Sequence, residues 1–183
     1  KKTMSSFFLP SIVLVLFLCI ALSHARLYSK ISSSVLNNIC FRTQNPKFCL
    51  GVLTSTPNVN TTDLPGLAKI SIGIANASAS NTKSFISRLI KTTSGPKLKG
   101  RYMSCFENYD DAIDDLEQAQ QYLSSSDYLG VSVAASGAMD QAGDCNDDFK
   151  QPPAAPALLI QRNQVLGNLS DIILVISNVL RGQ

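Results

Sequence analysis

Acidic side chains are concentrated in one uninterrupted stretch of the chain. Residues 102–149 hold eleven of the thirteen Asp and Glu residues and neither Lys nor Arg, whereas residues 26–101 hold eleven basic residues and a single acid. Carboxylates in this number could serve general acid–base catalysis, calcium binding or the docking of a basic partner. The alternative without a function is a solvated helix face. The choice depends on what else the sequence provides.

Most catalytic and metal-binding chemistry lacks its usual residues. The single histidine lies in the N-terminal leader described next, so the rest of the chain has neither a His-based triad nor an imidazole metal ligand. The acids at 140–148 lack the spacing and the glycine of an EF-hand loop. A glycosidase pair needs one carboxyl group with a raised pKa, and nothing in the sequence marks one. We therefore expect no enzyme activity, no cofactor and no bound metal.

The N-terminus has the features of a secretory signal peptide. Two lysines precede an apolar run at 7–22, and small residues stand at positions −3 and −1 of a cleavage site after Ala25. We expect residues 1–25 to be a signal peptide, with 1–3 ahead of the natural start. Residues 26–183 would then form one exported domain.

Loop signals divide the remaining chain into helical segments. The apolar spacing predicts a small hairpin at about 33–57 and four long helices at about 63–92, 97–123, 127–149 and 155–180. Alternating steps of three and four on long helices joined by short loops are typical of an antiparallel bundle. We expect an all-α fold, with an up-down-up-down four-helix bundle at about 60–181 behind an N-terminal helical hairpin.

The same spacing predicts which positions face the core. On the first long helix they are Leu67, Ile70, Ile74, Ala77, Phe85 and Leu89. On the second they are Tyr102, Cys105, Tyr109, Ala112, Leu116, Ala119 and Leu123. The third helix carries many Gly and Ala residues, which indicates a close approach to its neighbours.

Four cysteines follow the leader, and an even number in an exported chain indicates two disulfides. Cys40 and Cys49 flank the turn of the short hairpin at equal distances. Cys105 and Cys145 flank the turn between the second and third long helices in the same way. Of the three possible pairings we therefore expect Cys40–Cys49 and Cys105–Cys145.

Three sequons mark possible N-glycosylation, at Asn60, Asn76 and Asn168. Asn60 lies in an expected loop, whereas the other two lie in expected helices. Asn60 is therefore the glycosylation candidate.

Two polar stripes follow the second and third long helices away from the core positions. They consist of Glu107, Asp111, Asp114 and Gln118 on one helix and Ser132, Ser136, Asp140 and Asp147 on the other. At 100° per residue the first stripe is about 60° wide and the second is about 80° wide. Because the expected long disulfide joins these helices, the stripes would form one acidic surface suited to docking a cationic protein.

A set of motifs spread over residues 38–180 matches a known family. It comprises the Cys40–Cys49 hairpin with Asn45-Pro46 at its turn, Lys97-Leu98-Lys99-Gly100-Arg101-Tyr102, Cys105, Glu107-Asn108-Tyr109, Asp111-Ala112-Ile113-Asp114, Asp127-Tyr128, Cys145, Pro152-Pro153 and Asp171-Ile172. The set resembles the plant invertase and pectin methylesterase inhibitors, and within them the pectin methylesterase inhibitors closely.

The resemblance implies the same fold and disulfides, and a secreted protein that covers the active-site cleft of pectin methylesterase in a one-to-one complex in the cell wall. The partner-binding residues that it implies are Glu107, Asn108, Asp111, Asp114, Asp127, Tyr128, Ser136, Asp140 and Asp147. No nucleic acid and, once the signal is removed, no membrane is expected as a partner. The free protein is expected to be a monomer.

Two other functions remain as alternatives. The invertase inhibitors of the family carry Pro-Lys-Phe before the third long helix, where this chain has Ser126-Asp127-Tyr128 and lacks the basic residue. That difference argues against acid invertase as the target. A helical carrier of a small ligand is a remote alternative, because it needs an internal cavity and the small residues of the third helix indicate tight packing.

Overall fold

The computed structural model describes residues 30–183 and contains only helices over that range. The helices are α1 (Ser33–Phe41), α2 (Pro46–Ser55), α3 (Leu64–Thr92), α4 (Pro96–Ser124), α5 (Tyr128–Asp147) and α6 (Ala157–Leu180), with a 3-10 turn at Val59–Thr61. The expected signal peptide lies outside the described residues. The all-α prediction is confirmed for the described part of the chain.

Side-chain caps fix where several helices begin. Asn45 Oδ1 accepts a hydrogen bond from Phe48 N at 3.2 Å, and Pro46 takes the first position of α2. Asp63 caps α3 through Gly66 N at 2.8 Å.

The loop after α5 is rich in proline, and this loop delays the start of α6. The helix begins at Ala157 instead of residue 155, because Pro156 disfavours helical geometry in the residue before it.

The four long helices form a closed bundle. Each packs against its neighbour along the chain, α3 also packs against α6, and the hairpin of α1 and α2 rests on α6. Contacting residues of α4 and α5 lie at nearly equal distances from the turn that joins the helices. The pairs are Tyr122 with Gly130, Asp115 with Gly137, and Cys105 with Cys145. These two helices are therefore antiparallel.

Burial on α4 agrees with the prediction, whereas burial on α3 does not. All seven inward positions predicted for α4 are buried. On α3, Leu67 is buried, but Ile70 and Ile74 are half-buried and Ala77 is exposed. The buried side chains there are Leu67, Ala68, Ser71, Ile72, Ala75, Ala79, Thr82 and Ile86. The prediction for α3 holds for Leu67 but is wrong for Ile70, Ile74 and Ala77, because five of the eight buried side chains are Ala, Ser or Thr, which a hydrophobic pattern does not mark.

Both predicted disulfides are confirmed. Cys40–Cys49 joins α1 to α2, and Cys105–Cys145 joins α4 to α5 with the two Cα atoms 4.6 Å apart. All four cysteines are fully buried.

A buried polar network connects the long helices beside the second disulfide. The Tyr109 hydroxyl on α4 donates to Asn163 Oδ1 on α6 at 2.8 Å, and Asn163 Nδ2 donates to Asn146 Oδ1 on α5 at 2.8 Å. Thr82 of α3 lies beside the same hydroxyl, whose pKa is raised by burial. Because buried donors must find partners, the network favours one register of the four helices.

Helix α6 is the one helix among residues 30–183 that is long and apolar enough to cross a membrane by length and composition. Its apolar residues pack into the bundle core, including Leu159, Leu166 and Ile173, each with no exposed surface. Burial in the bundle accounts for the apolar character of this helix.

Removing each disulfide tests its contribution to stability. We expect Cys105→Ala with Cys145→Ala to lower the free energy of unfolding by about 4 kcal/mol on the chain-entropy model, because 40 residues separate the pair. Cys40→Ala with Cys49→Ala, which are nine residues apart, should cost about 3 kcal/mol. Urea unfolding checks both values. An unchanged free energy for the first variant would contradict the role given to the long crosslink.

Candidate functional site

Helices α4 and α5 carry the predicted polar stripes on one outward side. We call this surface the acidic face: Glu107, Asn108, Asp111, Asp114 and Asp115 of α4 with Ser136, Asp140 and Asp147 of α5. Its Glu and Asp side chains are exposed except Asp115, which is half-buried together with Asn108 and Ser136. The structure thus places most of the sequence-predicted residues on two crosslinked helices.

The carboxylates of the two helices lie close enough to influence one another. The pKa of Asp115 is raised, first by partial burial and then by the negative charges of Asp111, Asp114 and Asp140. Asp140 belongs to α5 and the other three belong to α4. The acidic face is therefore one electrostatic unit that spans both helices.

Asp115 corrects the expectation that no acid is marked for a raised pKa. Its position depends on Gly137 of α5, where an added Cβ would lie 2.6 Å from Asp115 Oδ2. The missing side chain lets the carboxylate lie against α5, where part of its hydration is lost. This contact between helices has no signal in the sequence of α4 alone.

Few basic side chains neutralise the acidic face. Within residues 30–183 the ion pairs are Lys83–Asp110 and Lys150–Asp147, the latter at 2.8 Å. Asp110 points toward α3 and does not belong to the face. The central carboxylates, Asp111, Asp114 and Asp140, have no salt bridge within the described part of the chain. The face therefore presents a largely uncompensated negative charge.

Three predicted residues lie at the ends of the face or away from it. Asp127 caps α5, with Oδ1 accepting from Gly130 N at 2.9 Å. Tyr128 is half-buried and packs against the core. Asp147, at the other end, is held by Lys150. These side chains are less free to meet a partner than the central carboxylates.

The arrangement supports docking better than catalysis or metal binding. Among the described residues no group of three or more His, Cys, Asp and Glu side chains is placed to hold a metal ion. A groove of about 440 Å³ lies between α5, α6 and the hairpin turn and is lined mainly by amides. The carboxylate that lines this groove belongs to Asp171, which accepts a hydrogen bond from Gln44 N at 2.7 Å. No acid of the acidic face lines this groove.

Apolar side chains beside the acidic face were not predicted from the sequence. Leu129 and Val133 of α5 and Tyr122 of α4 are all exposed. The first two stand off the core-facing positions of α5, and that spacing could have identified them. These three side chains add an exposed apolar area beside the acidic face.

Neutralising Asp115 tests the electrostatic crowding. Because its pKa is raised, the folded state holds the Asp115 proton more tightly than the unfolded state does. Wild-type stability therefore declines as the pH rises from the ordinary value of 3.8 through the folded-state value. We expect Asp115→Asn to melt at a higher temperature than the wild type at pH 7, with a gap that shrinks toward pH 4.

The control is Glu117→Gln, which removes an exposed charge from α4. Glu117 stands seven residues from Asp110 and so shares the side of α4 that faces α3. Thermal melts of all three proteins across this pH range should show the pH-dependent gap for Asp115→Asn alone. A constant gap, or none, would refute the crowding.

Comparisons with known proteins identify the family. The family model described as plant invertase/pectin methylesterase inhibitor matches residues 34–176. A pectinesterase inhibitor from Actinidia deliciosa is 45% identical over 178 residues, which cover 97% of this chain and 95% of the relative. Pectinesterase inhibitor 1 from Arabidopsis thaliana is 35% identical, with 82% and 84% covered.

Solved structures agree with these sequence matches. The crystal structure of a mutant form of a pectin methylesterase inhibitor from Arabidopsis matches with a TM-score of 0.70 and 33% identity, covering 78% of this chain and 95% of that one. A putative invertase inhibitor from Platanus acerifolia matches at a lower identity than the two pectinesterase inhibitors, 32% over 136 residues, or 74% of this chain and 76% of the relative. The chain belongs to the plant invertase/pectin methylesterase inhibitor family.

Proposed function

We propose that this protein inhibits a plant pectin methylesterase by laying the acidic face over the active-site cleft of the enzyme. One inhibitor covers one enzyme, blocks the entry of pectin and catalyses nothing itself. The observation that carries the proposal is the uncompensated charge of Asp111, Asp114 and Asp140 on two crosslinked helices. The pectinesterase inhibitors among its relatives support the choice of target.

Rigidity and charge make the acidic face suitable for this role. Helices α4 and α5 are joined by Cys105–Cys145 and packed along their length, so little conformational entropy is lost when they bind. The negative potential attracts a basic partner and orients it before contact. A face of this kind fits a cleft whose rim carries Lys and Arg.

The proposed contact residues are those of the sequence prediction. They are Glu107, Asn108, Asp111, Asp114, Asp127, Tyr128, Ser136, Asp140 and Asp147, and the geometry adds Asp115. The central carboxylates should contribute most, because Asp127 and Asp147 already have partners within the chain. This ranking separates the middle of the face from its ends.

The protein would act outside the cell. Residues 1–25 serve as the signal peptide, and residues 26–183 form the inhibitor domain, which is a monomer when free. Two disulfides favour an oxidising compartment, and the plant cell wall is the site of the proposed target. Asn60 is exposed in the 3-10 turn and accepts the glycan, whereas Asn76 and Asn168 are half-buried in α3 and α6.

The turn between α4 and α5 disfavours acid invertase as the target. Residues 126–128 provide no cation there, and the Asp127 carboxylate is engaged as a helix cap. We expect titration of the purified protein to abolish pectin methylesterase activity at a one-to-one ratio and to leave acid invertase active. Loss of invertase activity alone would overturn the choice of target. Turnover of methylated pectin by the protein itself would overturn the inhibitor mechanism.

Charge removal tests whether the acidic face makes the contact. We expect Asp111→Asn with Asp114→Asn to slow association and to weaken binding by about tenfold at low salt, because steering by the face is lost. The dependence of the association rate on salt should flatten as well. Surface plasmon resonance with immobilised enzyme at several salt concentrations measures both effects.

The matched control removes two charges from another side of α4. Asp110→Asn with Glu117→Gln changes the net charge equally, but these residues face α3. This control should bind with nearly wild-type kinetics once thermal melting has shown that it is folded. Equal weakening by both pairs would show that net charge matters and the face does not.

A further inference from the structure

An apolar strip interrupts the charged surface near the turn between α4 and α5. Leu129 and Val133 are 55% and 65% exposed, although both belong to large or β-branched types that usually pack inside. They stand four residues apart on α5 and so share one side of the helix. Tyr122 of α4, also exposed, lies at the same end of the bundle.

Glycine fixes Tyr122 against this part of α5. A Cβ added at Gly130 would lie 2.5 Å from Tyr122 Cγ, so the ring rests on the α5 backbone where a side chain is missing. Gly130 directly follows Leu129, which brings the ring to the segment that carries the strip. The aromatic group is thereby held in place before any partner arrives.

The strip is continuous with the acidic face. At 100° per residue, a band about 60° wide on α5 contains Leu129, Val133, Ser136, Asp140 and Asp147. This band is apolar in its first turns and acidic further along. Scattered exposed apolar residues are normal on proteins, but these lie together on the surface that is proposed to dock.

Charge and apolar contact contribute differently to binding. Exposed carboxylates mainly accelerate association and select a basic partner, whereas slow dissociation requires desolvated, well-packed side chains. Protein interfaces combine such an apolar centre with a polar rim. Leu129, Val133 and Tyr122 offer apolar area that the carboxylates alone do not.

We propose that Leu129 and Val133, with Tyr122 beside them, form the apolar anchor that holds the inhibitor on its target. The occupant of the strip is an apolar patch on pectin methylesterase that is flanked by basic residues, as the neighbouring carboxylates require. This inference rests on the proposed function and assigns the residues that determine its dissociation rate.

The chain offers a closely matched control at the opposite end of the bundle. Leu158 and Ile160 are exposed by 45% and 39% near the start of α6. Leu129 and Leu158 each occupy the second position of a helix, and Val133 and Ile160 are both β-branched. The test pair is therefore Leu129→Ser with Val133→Thr, and the control pair is Leu158→Ser with Ile160→Thr.

Surface plasmon resonance against pectin methylesterase measures the two rates for each protein. We expect the test pair to dissociate about tenfold faster than the wild type, since each substitution removes a desolvated contact. Its association rate should stay within about twofold of the wild-type rate. Its salt dependence should equal that of the wild type. The control pair should match the wild type in all three quantities, and thermal melts confirm that both variants are folded.

The outcomes separate this inference from the proposed function. A wild-type protein that does not bind or inhibit the esterase would overturn both. A wild type that inhibits, with a test pair that dissociates within twofold of it, would overturn the anchor alone. A control pair that dissociates as fast as the test pair would also overturn the anchor, because any loss of surface apolarity would then have the same effect.

Discussion

The disulfide between Cys105 and Cys145 holds α4 and α5 together against the electrostatic repulsion between the carboxylates of the two helices. Asp115 and Asp140 stand on different helices, and their negative charges disfavour a close approach of α4 and α5. The crosslink fixes the Cα atoms of the two cysteines 4.6 Å apart, and the Tyr109–Asn163–Asn146 network beside it sets the register. The acids are therefore held together in the free protein, and a basic partner would relieve their repulsion without reorganising the helices.

Glycine positions on α5 complete this arrangement. Gly137 admits the Asp115 carboxylate, and Gly130 seats the Tyr122 ring. The same helix thus provides room for an acid at its centre and for an aromatic ring near its start. Gly130 and Gly137 therefore shape the proposed docking surface as well as the packing of α5 against α4.

The sequence predicted the framework better than the surface. Cap residues such as Asn45 and Asp63 and the spacing on α4 are local signals, and the helices follow them. Cysteine symmetry about the turns was sufficient for both disulfides. On α3 most of the buried positions are Ala, Ser or Thr, so the hydrophobic pattern favoured the half-buried Ile70 and Ile74 instead. The raised pKa of Asp115 could not be predicted, because it depends on a glycine of another helix.

A crystal structure of the inhibitor bound to the esterase would show whether the acidic face of α4 and α5 closes the active-site cleft. We expect Asp111, Asp114 and Asp140 to lie against basic residues at the rim, and the cleft to be closed to solvent. An open cleft, or an interface formed only by the basic segment at 83–101, would refute this mode of inhibition.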